Sequence, residues 1–295
     1  MKSENQGIIQ ALLASIFIGF SFVFSSQANK AMNPITFTML SSLLSSLILF
    51  LGMKSLKRNL GIKKLLKENY KEVIQIVLFR AFLGSLILNF GMKFTNATRA
   101  SFLSRLEPMF VLFLSYFFLK EKVKTRQIFL VLSLIFGGFL ISFSGDLSTF
   151  TTYNLGDLLV VVSLLFFSYS YFPAQKAMKK TSPQTITIVT NFFAGLTLLS
   201  FILLTHSSIL AINTNALLLL LGYTFTFSIL GLSLWYLSLK TVKPWIVSSL
   251  LSLTPIFSSI LAYFWLKEIL TKIQLIGASI ILLTSFYLSW SHKKG

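Results

Sequence analysis

Polar and apolar positions are sorted along this chain into blocks. Ten apolar runs, at roughly 7–27, 33–53, 73–92, 97–119, 126–144, 154–174, 183–205, 214–239, 245–266 and 272–290, are separated by short polar connections. A spanning helix needs roughly 20 predominantly apolar residues, and most of the runs reach that length. None shows the period-2 alternation of a lipid-facing strand, so a barrel is excluded. Lipid offers no partners to open backbone groups, which leaves the helix as the spanning element. The first run is too long for the core of a signal peptide and more spans follow at once, so it is read as a retained helix. The longest connection expected is residues 54–71.

The second half of the pattern restates the first. Leu83-Gly84, Lys93, Ser101, Leu103, Leu106, Pro108, Phe110, Tyr116-Phe117, Leu119-Lys120-Glu121 and Gln127 recur 147 residues later. Their partners are Leu230-Gly231, Lys240, Ser248, Leu250, Leu253, Pro255, Phe257, Tyr263-Phe264, Leu266-Lys267-Glu268 and Gln274. Lys30-Ala31-Met32 likewise resembles Lys176-Ala177-Met178, with Pro34 and Pro183 opening the next helix after a small insertion in the second copy. The chain is thus read as two five-helix repeats, residues 7–144 and 154–290. Related membrane halves are the sequence mark of a transporter, because they can rock about a central site.

Charge fixes the expected orientation. With a cytoplasmic N-terminus, the inner connections hold nineteen Lys and Arg and the outer ones five. That bias predicts both termini inside. Five helices is an odd number, so the second repeat must be inverted relative to the first. Composition agrees: 55% hydrophobic and 12% charged residues cannot cover a soluble surface. The net charge of +18 lies mostly in the short connections, and it is read as this topological bias and not as a nucleic-acid surface. No Cys and two His exclude disulfides, thiolate sites and the clusters of membrane metalloenzymes.

With these residues in view the chain resembles the EamA family of the drug/metabolite transporter superfamily. The resemblance rests on residues 89–108 (NFGMKFTNATRASFLSRLEP), Leu119-Lys120-Glu121, Gln127 and Gly137-Gly138, and on residues 239–255 and 265–268 of the second copy. It covers essentially the whole chain as two units. It implies an all-α membrane fold of ten transmembrane helices in two inverted repeats. It also implies metabolite transport through a central cavity bordered by the first, third, fourth, sixth, eighth and ninth helices. One departure stands out. Members often carry an Arg in the second helix, where this chain has Ser41-Ser42 among Thr36, Thr38 and Ser45.

Three ionisable residues fall inside expected spans: Arg80, Arg105 and Glu107. Burying each costs about 2.5–3.5 kcal/mol on insertion scales, so each should face a partner or a cavity. Arg80 and Glu107 lie about 7 Å apart in depth at roughly 1.5 Å per residue, within reach of an Arg side chain. Arg105 is two residues from Glu107, about 200° around the helix, and cannot share its face. Two readings follow: an ion pair tethering the third helix to the fourth, or a pair lining the cavity and meeting the charged part of a substrate. Glu107, the deep carboxylate, is also the candidate for taking up a proton. The repeat aligns Glu107 with Thr254 and Arg80 with Phe227, so the scaffold itself does not need charge there.

Pro108 and Pro255 are repeat-related and each frees a carbonyl four residues back, at Ser104 and Leu251, which predicts a kink. Asn89, Trp235 and Tyr236 are candidates for substrate contact, though Trp and Tyr near helix ends commonly anchor at the membrane interface. Asn191 is expected to bond between helices. Ser133/Gly137 and Gly138/Ser142 offer a close-packing face for intramolecular contacts or a homodimer, leaving monomer and dimer open.

The expected function is secondary transport of a small polar metabolite such as an amino acid, as exporter or exchanger, in the plasma membrane. Arg80 or Arg105 would meet a carboxylate, and a proton or counter-solute would couple the cycle. No nucleotide-binding loop is present, so ATP is not the direct driver. No cofactor or metal is expected. The alternatives are a flippase for a lipid-linked substrate and an intramembrane enzyme. The enzyme is disfavoured, since it would require paired carboxylates or a buried His.

Overall fold

The computed structural model describes residues 2–95, 100, 103–120, 124–142, 155–204, 214–266 and 271–292. Residues 96–99 and 101–102 of the first motif, together with Glu121, Lys267 and Glu268, lie outside the described residues, as do the side chains of Arg105 and Gln274. The described residues are helical throughout, with no strand among them.

The first repeat contributes α1 (Lys2–Ala31), α2 (Pro34–Ser55), the short α3 (Ile62–Glu68), α4 (Tyr70–Phe94), α5 (Glu107–Leu119) and α6 (Thr125–Ser142). The second contributes α7 (Leu155–Met178), α8 (Pro183–Leu204), α9 (Thr214–Leu239), α10 (Pro244–Trp265) and α11 (Lys272–His292). Seven of the described helices are long and apolar enough to cross a membrane. Three further apolar helices among the described residues are shorter: Glu107–Leu119, Thr125–Gly137 and Leu275–Thr284. The protein is an integral, multi-pass membrane protein. The expected loop 54–71 is corrected in one respect, since α3 occupies its middle. Ile62, Leu65 and Leu66 fall at i, i+3 and i+4 and give that helix an apolar side.

Contacts between the halves survive exchange of one half for the other. α1 packs against α9 and α10, and α7 packs against their counterparts α4 and α5. The pairs α2–α8, α5–α10 and α6–α11 map onto themselves. Such a pattern is what a two-fold relation between the repeats produces.

The backbone irregularities obey the same relation. α4 widens into a π-helix at Ile76–Gly84 and α9 at Thr224–Gly231, ending on the repeat-related glycines. The 3₁₀ segments Ser104–Leu106 and Leu251–Leu253 precede Pro108 and Pro255. Proline lacks the N–H that an α-turn would use, so the expected disturbance takes the form of a tightened turn.

Small residues set the closest approaches. A Cβ on Gly84 would lie 2.8 Å from the Phe167 ring of α7. One on Gly231 would lie 2.8 Å from Ile18 of α1. Gly137 of α6 meets the Gly277 backbone of α11, so this part of the small-residue face is used within the chain.

Candidate functional site

At the centre of the bundle the π segment of α4 brings Arg80 into the interior, where it is 7% exposed. Its guanidinium lies 3.8 Å from the ring centre of Trp235 and 5.2 Å from that of Phe167. Nη1 donates to Ser170 Oγ at 3.2 Å, while Nε has no partner among the described residues. Stacking on Trp235 gives a buried cation a favourable surface without neutralising it. Trp235 is itself fully buried and edge-on to Tyr171 at 4.9 Å. The interface-anchor reading of Trp235 and Tyr236 is therefore corrected: both are core residues.

Arg80 faces two small cavities. The first, about 20 Å³, is bordered by Thr38, Ser41 and Ser42 of α2, Asn191 of α8, and Tyr236 and Phe227 of α9. The Ser41-Ser42 stretch that stands in place of the family's Arg is thus a wall of this cavity. Ser41 Oγ and Thr38 Oγ1 donate to backbone carbonyls of their own helix at 3.1 and 2.7 Å. Ser41 Oγ keeps its acceptor lone pairs, whereas Thr38 Oγ1 also accepts from Asn89 Nδ2 at 2.8 Å. Asn191 bonds between helices as expected, donating to Ser45 Oγ at 2.7 Å.

The second cavity, about 50 Å³, is bordered by Arg80, Glu107, Thr254 and Phe227, with Ile18 and Leu164 among the apolar remainder. Its walls come from the six helices that the resemblance implies. The two positions at which the repeats diverge in charge, and their two counterparts, meet at one place. A water needs about 10–15 Å³ by this measure and a metabolite site some hundreds. The centre therefore has room for a few waters and none for a metabolite.

Thr254 explains part of the asymmetry. Its hydroxyl donates at 2.5 Å to the carbonyl of Leu251, the group that Pro255 leaves without its α-helical donor. The first repeat carries Glu107 in that place, where an O–H exists only on a protonated carboxyl.

Asn89 is not brought to either cavity. It is buried where α1, α2 and α4 meet, accepting from Ser25 Oγ at 3.1 Å and Asn29 Nδ2 at 3.0 Å. It donates to Thr38 Oγ1 at 2.8 Å. Arg105 sits in the 3₁₀ turn before α5. Sequence reasoning missed Ser170, Phe167 and Tyr171, which hold or surround Arg80. Their signal was a run of small and aromatic residues in the sixth apolar segment, which periodicity alone cannot aim.

Two related helical halves enclosing a charged and hydroxyl-lined centre define a membrane transporter scaffold. The chain belongs to the EamA-like transporter family, whose model matches residues 5–143 and 154–290. An uncharacterized transporter of Methanothermobacter thermautotrophicus is 24% identical over 97% of this chain and 87% of its own. The uncharacterized transporter YetK of Bacillus subtilis is 22% identical over 96% and 86%. A solved crystal structure, 11% identical, matches the fold with a TM-score of 0.72 over 95% of this chain and 94% of that one. The protein is a membrane transporter.

Proposed function

We propose that this transporter is a secondary carrier of a small polar metabolite bearing a carboxylate, such as an amino acid, and that it works as an exporter or exchanger in the cell membrane. Ten spans with both termini in the cytoplasm, the second repeat inverted, would let the halves rock about the centre by alternating access. The observation that carries the reading is the convergence of Arg80, Glu107, Thr254 and Phe227 on one cavity walled by both halves. Arg80 supplies the carboxylate contact through its unpartnered Nε, with Trp235 and Tyr236 shaping the pocket. Glu107 takes up the coupling proton. Once protonated it carries the kind of donor that Thr254 uses in the other repeat. A counter-solute is the other coupling route. The hydroxyl and charged lining favours a small polar cargo over a lipid-linked one.

Counterflow into proteoliposomes across a panel of amino acids, sugar phosphates and nucleosides tests the proposal. Accumulation of an amino acid above empty liposomes is expected, and uptake of no panel member would overturn it. Glu107→Gln should abolish the acceleration produced by a proton gradient while leaving exchange measurable. Unchanged pH-driven transport in that variant would remove Glu107 from the coupling role.

A further inference from the structure

Away from the centre, two adjoining depressions share the walls α3 and α8. The first is a cleft of about 500 Å³ whose rim carries Lys64, Lys179, Lys180 and Lys240. Lys180 is held 3.6 Å from Glu68. Lys64, Lys179 and Lys240 have no acidic partner among the described residues. The floor includes Asn69, 3% exposed, whose Oδ1 has no hydrogen-bond partner among the described residues. The wall is fixed in place, because Thr185 Oγ1 donates to the Leu60 carbonyl at 2.6 Å.

The second depression is a groove of about 520 Å³ lined by Leu47 and Phe50 of α2, Ile62 and Leu66 of α3, and Ile188 and Phe192 of α8. It is almost wholly apolar. Going along α8, Pro183 and Thr185 face the cleft, and Ile188, Val189 and Phe192 face the groove. Thr185 to Phe192 covers about 10 Å at roughly 1.5 Å per residue, so polar rim and apolar trough follow one another along the helix axis. α3 divides them, with Lys64 on one side and Leu66 on the other.

The cleft is not a by-product of the repeat. Four residues, including Lys179 and Lys180, separate Met178 from Pro183, where Asn33 alone separates Met32 from Pro34. The second copy thus inserts the two lysines that border the cleft.

We propose that this pair of depressions binds an anionic glycerophospholipid. Its phosphate would sit among Lys64, Lys179 and Lys240, a headgroup hydroxyl would donate to Asn69 Oδ1, and one acyl chain would lie along the groove. Charge complementarity argues for the anion, and the continuous apolar trough argues for a lipid over a free phosphate. Lys64 belongs to the first repeat and Lys179 and Lys240 to the second, so the lipid would bridge the halves at the face assigned above to the cytoplasm.

Binding is measurable without any transport assay, so it stands or falls separately from the cargo. The purified full chain in phosphatidylcholine nanodiscs would be titrated with phosphatidylglycerol, and retained lipid read by native mass spectrometry. Lys64→Gln/Lys179→Gln/Lys240→Gln is expected to weaken binding roughly 100-fold, since each lysine near an anionic headgroup is worth roughly fivefold. Lys54→Gln/Lys57→Gln/Lys71→Gln, three exposed lysines that do not border the cleft and so make no headgroup contact, should leave binding within about threefold of the parent. Equal loss in both triple variants would reduce the effect to diffuse surface charge and overturn the site. Glycerophosphoglycerol or inorganic phosphate competing as well as the intact lipid would overturn the lipid assignment, because the groove would then contribute nothing.

Discussion

Arg80 is buried yet remains a cation, and the Trp235 ring 3.8 Å away makes that affordable. A planar guanidinium can lie over that ring while Nη1 bonds Ser170, an arrangement that the compact ammonium of a lysine does not reproduce. Arg80→Lys is therefore expected to weaken a carboxylate substrate's apparent affinity by about tenfold or more, the scale of a desolvated cation–π contact. Substrate-concentration dependence of counterflow, with thermal unfolding of the same preparation, checks this. An unchanged affinity would place Arg80 outside the binding machinery. At this scale the sequence was partly legible. Depth and repeat alignment brought Arg80, Glu107, Thr254 and Phe227 into one frame, because charge inside a span is rare enough to be informative. The partner of Arg80 was not legible, since Trp235 lies near a helix end and sequence says nothing about which way that end turns. Asn89 shows a related ambiguity. A buried amide serves a cavity or a helix contact equally well, and here Ser25, Asn29 and Thr38 occupy it.

Among the elements, the long helices follow directly from the apolar blocks, since each block has to satisfy its own backbone in lipid. The π segments were hidden. Leu83-Gly84 and Leu230-Gly231 were visible as repeated dipeptides, but a widened turn arises from what the helix packs against. Gly84 shows this: an added methyl would meet both the Phe79 carbonyl at 2.7 Å and the Phe167 ring at 2.8 Å. Gly84→Ala should therefore destabilise the protein by about 1–3 kcal/mol, the range for overpacking a dense interior. Replacing Phe167 by Leu in the same chain should recover only the share due to the ring, because the Phe79 carbonyl stays in place. Thermal unfolding of the single and double variants in detergent decides it. If Gly84→Ala is neutral, the close helix contact is not what fixes the π turn. α3 could have been found from sequence, as Ile62, Leu65 and Leu66 share one face, but its short length hid it inside a charged connection.

For the molecule as a whole, two independent regularities point to the same architecture. Contacts between the halves are unchanged by exchanging them, and the lysines and arginines collect in alternate connections. With five spans in each half, as proposed above, the second repeat would be inverted, and the α1–α2 turn would lie on one side of the membrane. The α2–α4 and α7–α8 connections then share the other side. The chain contains no Cys, so a single introduced thiol reports its side without background. Lys30, Lys57 and Lys179 are all exposed; Lys57 and Lys179 lie in the latter two connections, and Lys30 lies in the last turn of α1, next to the α1–α2 turn. A membrane-impermeant maleimide added to intact cells should label Lys30→Cys. It should reach Lys57→Cys and Lys179→Cys only after permeabilisation. Labelling of Lys57→Cys from outside would reverse the orientation. Labelling of Lys57→Cys and Lys179→Cys from opposite sides would break the inverted relation, and with it the rocking motion assigned to the two halves.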